Sequence, residues 1–139
     1  MKYLLSTILI ISFLILPSSC EDQLYFVDCS HCYTEKPTHA EIEISITFNK
    51  ENPFVYMTIF EGAIEKNNII SEEVVYKVDA FYRRLPVEKY YSVMVRYIKG
   101  GRSIYAVDGK KLRLRKDESS CDEPCYYVLG DDFDLRLKE

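Results

Sequence analysis

Hydrophobic and polar residues alternate through much of this chain. Ile42, Ile44, Ile46 and Phe48 stand against Glu41, Glu43, Ser45 and Thr47, a period of two that predicts a strand with one buried face. Lys50-Glu51-Asn52-Pro53 interrupts it. Phe54 to Phe60 then forms a second run, with Val55, Met57 and Ile59 on one side and Phe54, Tyr56 and Phe60 on the other. Apolar residues on both sides predict a strand that is central or covered on both faces. Glu61-Gly62 through Asn67-Asn68 reads as a loop. Alternation resumes over Val74 to Tyr82, where Tyr76, Val78, Ala80 and Tyr82 oppose Lys77 and Asp79.

Leu85-Pro86 turns the chain, and Tyr91, Val93, Val95 and Tyr97 predict the next strand face. Lys99-Gly100-Gly101-Arg102 is a hairpin signal, because paired glycines accept the positive φ of tight turns. Ser103 to Val107 returns along that hairpin, and Asp108-Gly109 is a second turn signal. Leu112 and Leu114 then point one way while Lys111, Arg113 and Arg115 point the other. After a polar loop over 116–124, Tyr126 to Leu129 and Phe133 to Leu137 predict a last hairpin across Gly130-Asp131. Seven or eight short strands without a helical period predict an all-β domain, most economically a single antiparallel β-sandwich.

The first twenty residues follow a different pattern. Lys2 is followed by an apolar stretch from Leu4 to Leu16, and the small residues Ser18 and Ser19 lead into Cys20. That order is an export signal. The apolar stretch is too short to span about 30 Å of hydrocarbon as a helix. It resembles the bacterial lipoprotein signal, in which the cysteine after the cleavage point is lipidated and becomes the N-terminus. The resemblance implies lipid on Cys20 and a membrane-anchored place in the cell envelope, with a plain secreted protein as the alternative. Glu21 and Asp22 resemble the surface-export signal of lipoproteins in the Bacteroidota lineage, which implies the outer membrane and its exposed surface. In other Gram-negative groups an acidic residue there implies retention at the inner membrane. The expected organisation is a signal over 1–19, a tether over 20–40 and the sandwich over 41–139.

About 120 residues remain from Cys20 onward, enough for one domain with a real core. The formal charge of the whole chain is −4, and losing Lys2 makes the mature chain one unit more negative. Such a balance argues against a nucleic-acid partner. Twelve tyrosines and seven phenylalanines without tryptophan suit half-buried pleated surfaces.

Of five cysteines, assigning Cys20 to lipid leaves Cys29, Cys32, Cys121 and Cys125. An even set in an exported domain implies disulfides. The two doublets also have the make-up of a four-thiolate zinc site, which remains the alternative. Three disulfide connectivities are open. Cross-pairs between the doublets close loops of roughly 90 residues, worth about 4 to 5 kcal/mol, against about 2 for local rings. Cross-pairs stapling the tether to the end of the chain are therefore expected. A redox role needs a helix N-terminus to lower a thiol pKa, and the pattern supplies no helix.

Other candidates for chemistry are weak. His31 lies between cysteines and His39 in the tether, and no nucleophile elbow, phosphate loop or zinc-protease motif occurs. No enzyme and no cofactor are expected. Asp131, Asp132 and Asp134 with Asp117, Glu118, Asp122 and Glu123 lack the spacing of a calcium loop and read as solvated charge. Lys111, Arg113 and Arg115 form a basic stripe suited to anionic headgroups or polysaccharide, or to pairing with Glu41, Glu43 or other carboxylates across strands. Exposed tyrosines such as Tyr56, Tyr90 and Tyr105 could stack on sugars.

Leu85 followed by Tyr91, Val93 and Val95 resembles the tyrosine corner of fibronectin type III and related immunoglobulin-like sandwiches. Similar patterns occur in transthyretin-like and carboxypeptidase regulatory-type sandwiches. The resemblance implies that the Tyr91 hydroxyl bonds to the upstream backbone. The signal ending in Cys20, Asp28-Cys29-Ser30-His31-Cys32-Tyr33, Tyr105-Ala106-Val107-Asp108-Gly109 and Cys121-Asp122-Glu123-Pro124-Cys125-Tyr126 together resemble the small lipoproteins of Bacteroides-type bacteria. No activity comes with that resemblance. The expected function is a lipid-anchored, non-catalytic envelope protein that acts as a binding or structural module toward an envelope protein or glycan. The alternatives are an envelope protein that binds metal through the four thiolates and a glycan-binding accessory of an outer-membrane uptake system.

Overall fold

The computed structural model of the protein describes residues 27–138. The expected signal, Cys20 and Glu21-Asp22 lie outside the described residues. The rest is all-β, in the order β1 His39–Ser45, β2 Phe54–Glu61, β3 Ile69–Tyr76, β4 Phe81–Pro86, β5 Tyr90–Lys99, β6 Arg102–Lys111, β7 Arg113–Asp117, β8 Cys125–Leu129 and β9 Asp132–Asp134. Two single turns of 3-10 helix, Cys29–His31 and Ile64–Lys66, interrupt the loops. One sheet has the order β3-β2-β5-β6, a second the order β4-β1-β9, and β7-β8 form a two-stranded ribbon.

Period-two burial builds the core from both larger sheets. Ile42 and Ile44 of β1, Leu85 of β4 and Phe133 of β9 share one cluster with Val55, Met57, Ile59, Val75, Tyr91, Val93, Val95 and Tyr97 of the four-stranded sheet. Leu112 and Leu135 complete it from outside the strands. Burying each of these side chains is worth about 1.5 to 3 kcal/mol.

Several sequence expectations are corrected. The described residues form nine strands, and β1 pairs with β9 in parallel, so the assembly is not purely antiparallel. Val74 to Tyr82 is not one strand. Its first part ends β3, and Lys77 to Ala80 carries the chain to the other sheet, where β4 pairs with β1. Tyr76, Val78 and Tyr82, expected on a buried face, are exposed for that reason. Asp108-Gly109 is not a turn, because β6 runs straight through it. A Cβ at Gly109 would collide with the hydroxyl of Tyr90, so this glycine makes room for an aromatic ring laid over the strand. Residues 126–137 are not a hairpin either, since β8 pairs with β7 and β9 with β1. Gly130, at φ 80°, makes that change of sheet, and a Cβ there would lie 2.6 Å from the Lys111 carbonyl oxygen. By contrast Gly100 and Gly101, at φ 57° and 74°, form the expected tight turn between β5 and β6.

The first strand is shifted as well. It begins at His39, so this histidine is not in the tether, and it ends at Ser45 although the apolar alternation continues. Beyond Ser45 the chain bonds elsewhere. The Ser45 carbonyl accepts from Leu135 N–H at 3.0 Å, and Thr47 N–H donates to the Tyr97 hydroxyl oxygen at 3.0 Å. The hydroxyl of fully buried Tyr97 in turn donates to the Leu135 carbonyl at 2.7 Å, locking the C-terminal segment to β5. Burial pushes the pKa of this phenol up.

Candidate binding surface

Before β1 the chain forms a strap held by the cysteines. Asp28 caps the 3-10 turn that carries Cys29: its Oδ1 accepts from Ser30 N–H at 2.9 Å and from the Ser30 hydroxyl at 2.6 Å. Its Oδ2 lies 2.9 Å from His31 Nδ1. These bonds, those of Ser30 first, hold the Asp28 carboxyl down at about 2. At the other end Asp117 Oδ1 accepts from Ser119 and Ser120 N–H at 2.8 and 2.7 Å, shaping the loop that presents Cys121. Cys29 is bonded to Cys121 and Cys32 to Cys125, with Cα–Cα distances of 5.8 and 5.1 Å and sequence separations of 92 and 93. Tyr33 and Tyr126 then exchange both backbone hydrogen bonds at 2.9 Å, so the strap ends as a short extra strand beside β8. The sulfurs of Cys32, Cys121 and Cys125 lie within 4.8 Å of one another.

The Asp28 cap makes a pH prediction. Its carboxyl titrates below the ordinary 3.8, so its contribution is present above 3.8 and lost as pH falls through about 2. Asp134, held down at about 2 chiefly by the hydrogen bonds of Arg136, follows the same sign. Carboxyl-carbon NMR titration is expected to give midpoints near 2 for both residues. Midpoints near 4 would mean that neither set of hydrogen bonds forms.

Tyr91 is fully buried, and its hydroxyl donates to the Pro86 carbonyl at 3.0 Å, with Leu85 packed in the same core. Burial, with the Glu61 charge adding to it, pushes this phenol up to about 12. Tyr91→Phe leaves the Pro86 carbonyl without that donor, and a loss of about 1 kcal/mol is expected in urea unfolding. No loss would mean that the carbonyl finds water instead.

The basic stripe is divided. Lys111 ends β6 and lies 3.3 Å from Glu88 rather than against Glu41 or Glu43, while Arg113 and Arg115 are exposed on β7. Glu88 Oε1 also accepts from Leu114 N–H at 2.6 Å, which ties the stripe to the turn before β5. Two of the acidic residues are likewise engaged: Arg136 Nε and Nη2 reach the two Asp134 oxygens at 2.7 and 3.0 Å, and Lys110 Nζ lies 3.1 Å from Asp132. A cleft of about 630 Å³ between the strap and β1 is lined by Asp28, His31, Tyr33, Glu43 and Asp131 among others. Burial raises the Asp131 pKa, with Asp132 and Glu43 adding like charge.

Among the described residues, the outer face of the four-stranded sheet is an exposed surface rich in apolar and aromatic side chains. Cross-strand register sets its side chains in rows. Val74 of β3, Tyr56 of β2, Arg96 of β5 and Tyr105 of β6 form one row, and Glu72, Thr58, Met94 and Val107 the next. Phe54 and Tyr76 pair on one side of the first row, and Ile98 and Ser103 on the same side across β5 and β6. Tyr56 is 47% exposed and Tyr105 55%, with Phe54, Val74, Tyr76, Ile98 and Val107 also exposed. The Arg96 guanidinium stands 4.2 Å from the Tyr56 ring centroid, and the Phe54 ring meets Tyr56 and Tyr76 at 5.9 Å each. The run Phe54 to Phe60, expected to be central or covered on both faces, is central between β3 and β5, with Phe54 and Tyr56 exposed on its outer side. Sequence alone named Tyr56 and Tyr105. It missed Arg96, whose position between them depends on the pairing of three strands.

No protein-family model matches the chain, and no curated protein or solved structure matches it.

Proposed function

We propose that this protein is a non-catalytic module of the bacterial cell envelope, a β-sandwich anchored through lipid on Cys20 and carried at the outer membrane. The observation behind this reading is the use of cysteine. Cys29, Cys32, Cys121 and Cys125 are consumed in two bridges, which leaves Cys20 as the odd thiol of an exported chain. The staple gives the anchored end a fixed attachment, because the strap entering the domain is tied to β8 rather than hanging from β1 alone. Binding falls to the outer face of the four-stranded sheet, whose exposed apolar and aromatic side chains are not needed by the core. Contiguous apolar surface of this kind marks an interaction site.

The test is intact mass of the protein isolated from its native envelope, before and after reduction and alkylation. Cleavage before Cys20, added acyl chains and four hydrogens gained on reduction are expected. An unlipidated mass would remove the anchor. The close approach of three cysteine sulfurs favours one second reading, a four-thiolate zinc protein, and four free thiols with one zinc in the same sample would establish it in place of the staple.

A further inference from the structure

From the outer face of the four-stranded sheet we infer that the binding partner is an extended β-1,4-linked polysaccharide chain lying across strands β3, β2, β5 and β6; this rests on the reading of that face as the binding surface. Size is the first argument. Four strands about 4.8 Å apart span roughly 14 Å from β3 to β6, the reach of a short run of extended sugar residues laid across them.

Spacing is the second argument. Tyr56 and Tyr105 occupy one row with β5 between them, so their backbones stand two interstrand spacings apart, about 9.6 Å. That is close to the advance of two sugar residues in an extended β-linked chain, in which every second ring presents the same side. Tyr105 can then take the C–H face of one ring, and Tyr56 takes the other once the Arg96 guanidinium, 4.2 Å from its ring centroid, turns to the sugar hydroxyls.

Chemistry is the third. Arg96 stands between the two tyrosines, and Thr58 and Glu72 border Tyr56 from the next row. A guanidinium fork and a carboxylate suit paired hydroxyls, which a lipid surface would not supply. A peptide strand would add at a sheet edge through backbone bonds, and this face offers none, because β2 and β5 are paired on both sides. Exposed apolar and polar groups in alternation are the pattern a sugar polymer matches.

The test uses the mature lipoprotein in detergent with hydroxyethyl cellulose, xylan and glucomannan as probes and dextran, which is α-linked, as control. Retardation in affinity gels is expected with at least one β-1,4-linked probe and not with dextran. Tyr56→Ala and Tyr105→Ala are each expected to weaken binding at least about tenfold, roughly the loss of one well-packed contact. Tyr82→Ala, exposed on the other sheet, keeps parental binding, and all three variants keep the parental melting temperature. Failure of all three β-linked probes, or binding indifferent to both tyrosine substitutions, overturns the inference. So does a dimer in sedimentation that Tyr56→Ala dissociates, since a second copy would then cover the face. An acylated protein that binds none of the probes loses the polysaccharide assignment and keeps the anchor, whereas an unlipidated one that binds them loses the anchor alone.

Discussion

Replacing all four paired cysteines by serine is expected to destabilise the domain by about 7 kcal/mol, while removing either bridge alone costs only about 2 to 3. The inequality follows from where the bridges lie. Each closes more than 90 residues of chain, and a loop of that length is worth about 4.7 kcal/mol in chain entropy. The two loops are nearly the same loop. Once Cys29–Cys121 is formed, Cys32–Cys125 closes a ring of roughly nine residues and adds about 2.6 kcal/mol. Domains of this size are stable by only about 5 to 15 kcal/mol, so the four-serine protein is expected to be largely unfolded at 37 °C. Urea unfolding followed by tyrosine fluorescence, in a chain that has no tryptophan, measures each variant. Should one pair of serines cost as much as four, the bridges do not act in parallel.

Asn52→Ala is expected to cost about 3 kcal/mol, more than any surface substitution in the domain. Asn52 is 2% exposed and acts as a strand partner made of one side chain. Its Oδ1 accepts from Ile98 N–H at 2.7 Å, and its Nδ2 donates to the Ile98 carbonyl at 2.9 Å. Asn49 Oδ1 fixes the amide by accepting from Asn52 Nδ2 at 3.1 Å and from its backbone N–H at 2.8 Å. The neighbouring Pro53 has no N–H to give, so the side chain satisfies β5 where β2 has not yet begun. Alanine leaves a backbone donor and acceptor without partners. Asn52→Asp is a second check, because it keeps the acceptor for Ile98 N–H and sets a carboxylate against the Ile98 carbonyl. Denaturation midpoints and faster amide exchange at Ile98 report both. A loss under about 1 kcal/mol for alanine would mean that water replaces the side chain at no cost.

Alternation was a good guide wherever one strand stays in one sheet with one face inward. The runs at Ile42 to Ile44, Val55 to Ile59 and Tyr91 to Tyr97 are of this kind, and their inward residues make up most of the core. It failed where the chain changes sheets. Val74 to Tyr82 keeps its period through the crossing from β3 to β4, so sequence joins what the structure separates. Gly109 and Gly130 show the same ambiguity in turn chemistry: each follows the pattern of a turn, but one admits a tyrosine ring and the other a change of sheet. Ile69 to Glu73 carries no strand signal in the sequence, because Ser71, Glu72 and Glu73 dilute its apolar residues at an edge where only Val75 is buried.

The amino-acid sequence by itself determined the fold class and the inventory: an all-β chain, four cysteines in two doublets and a surplus of tyrosine. Those properties are local, since strand period, glycine turns and residue counts need no knowledge of distant contacts. Only the tertiary structure decided which cysteine meets which, that β9 runs parallel to β1, and that Tyr97 and Asn52 hold distant backbone in place. It alone set Tyr56, Arg96 and Tyr105 in one row. Each of these depends on register between segments tens of residues apart. A one-residue slip of a strand would turn every side chain to the opposite face, and what holds the register is the summed burial of both sheets in one core.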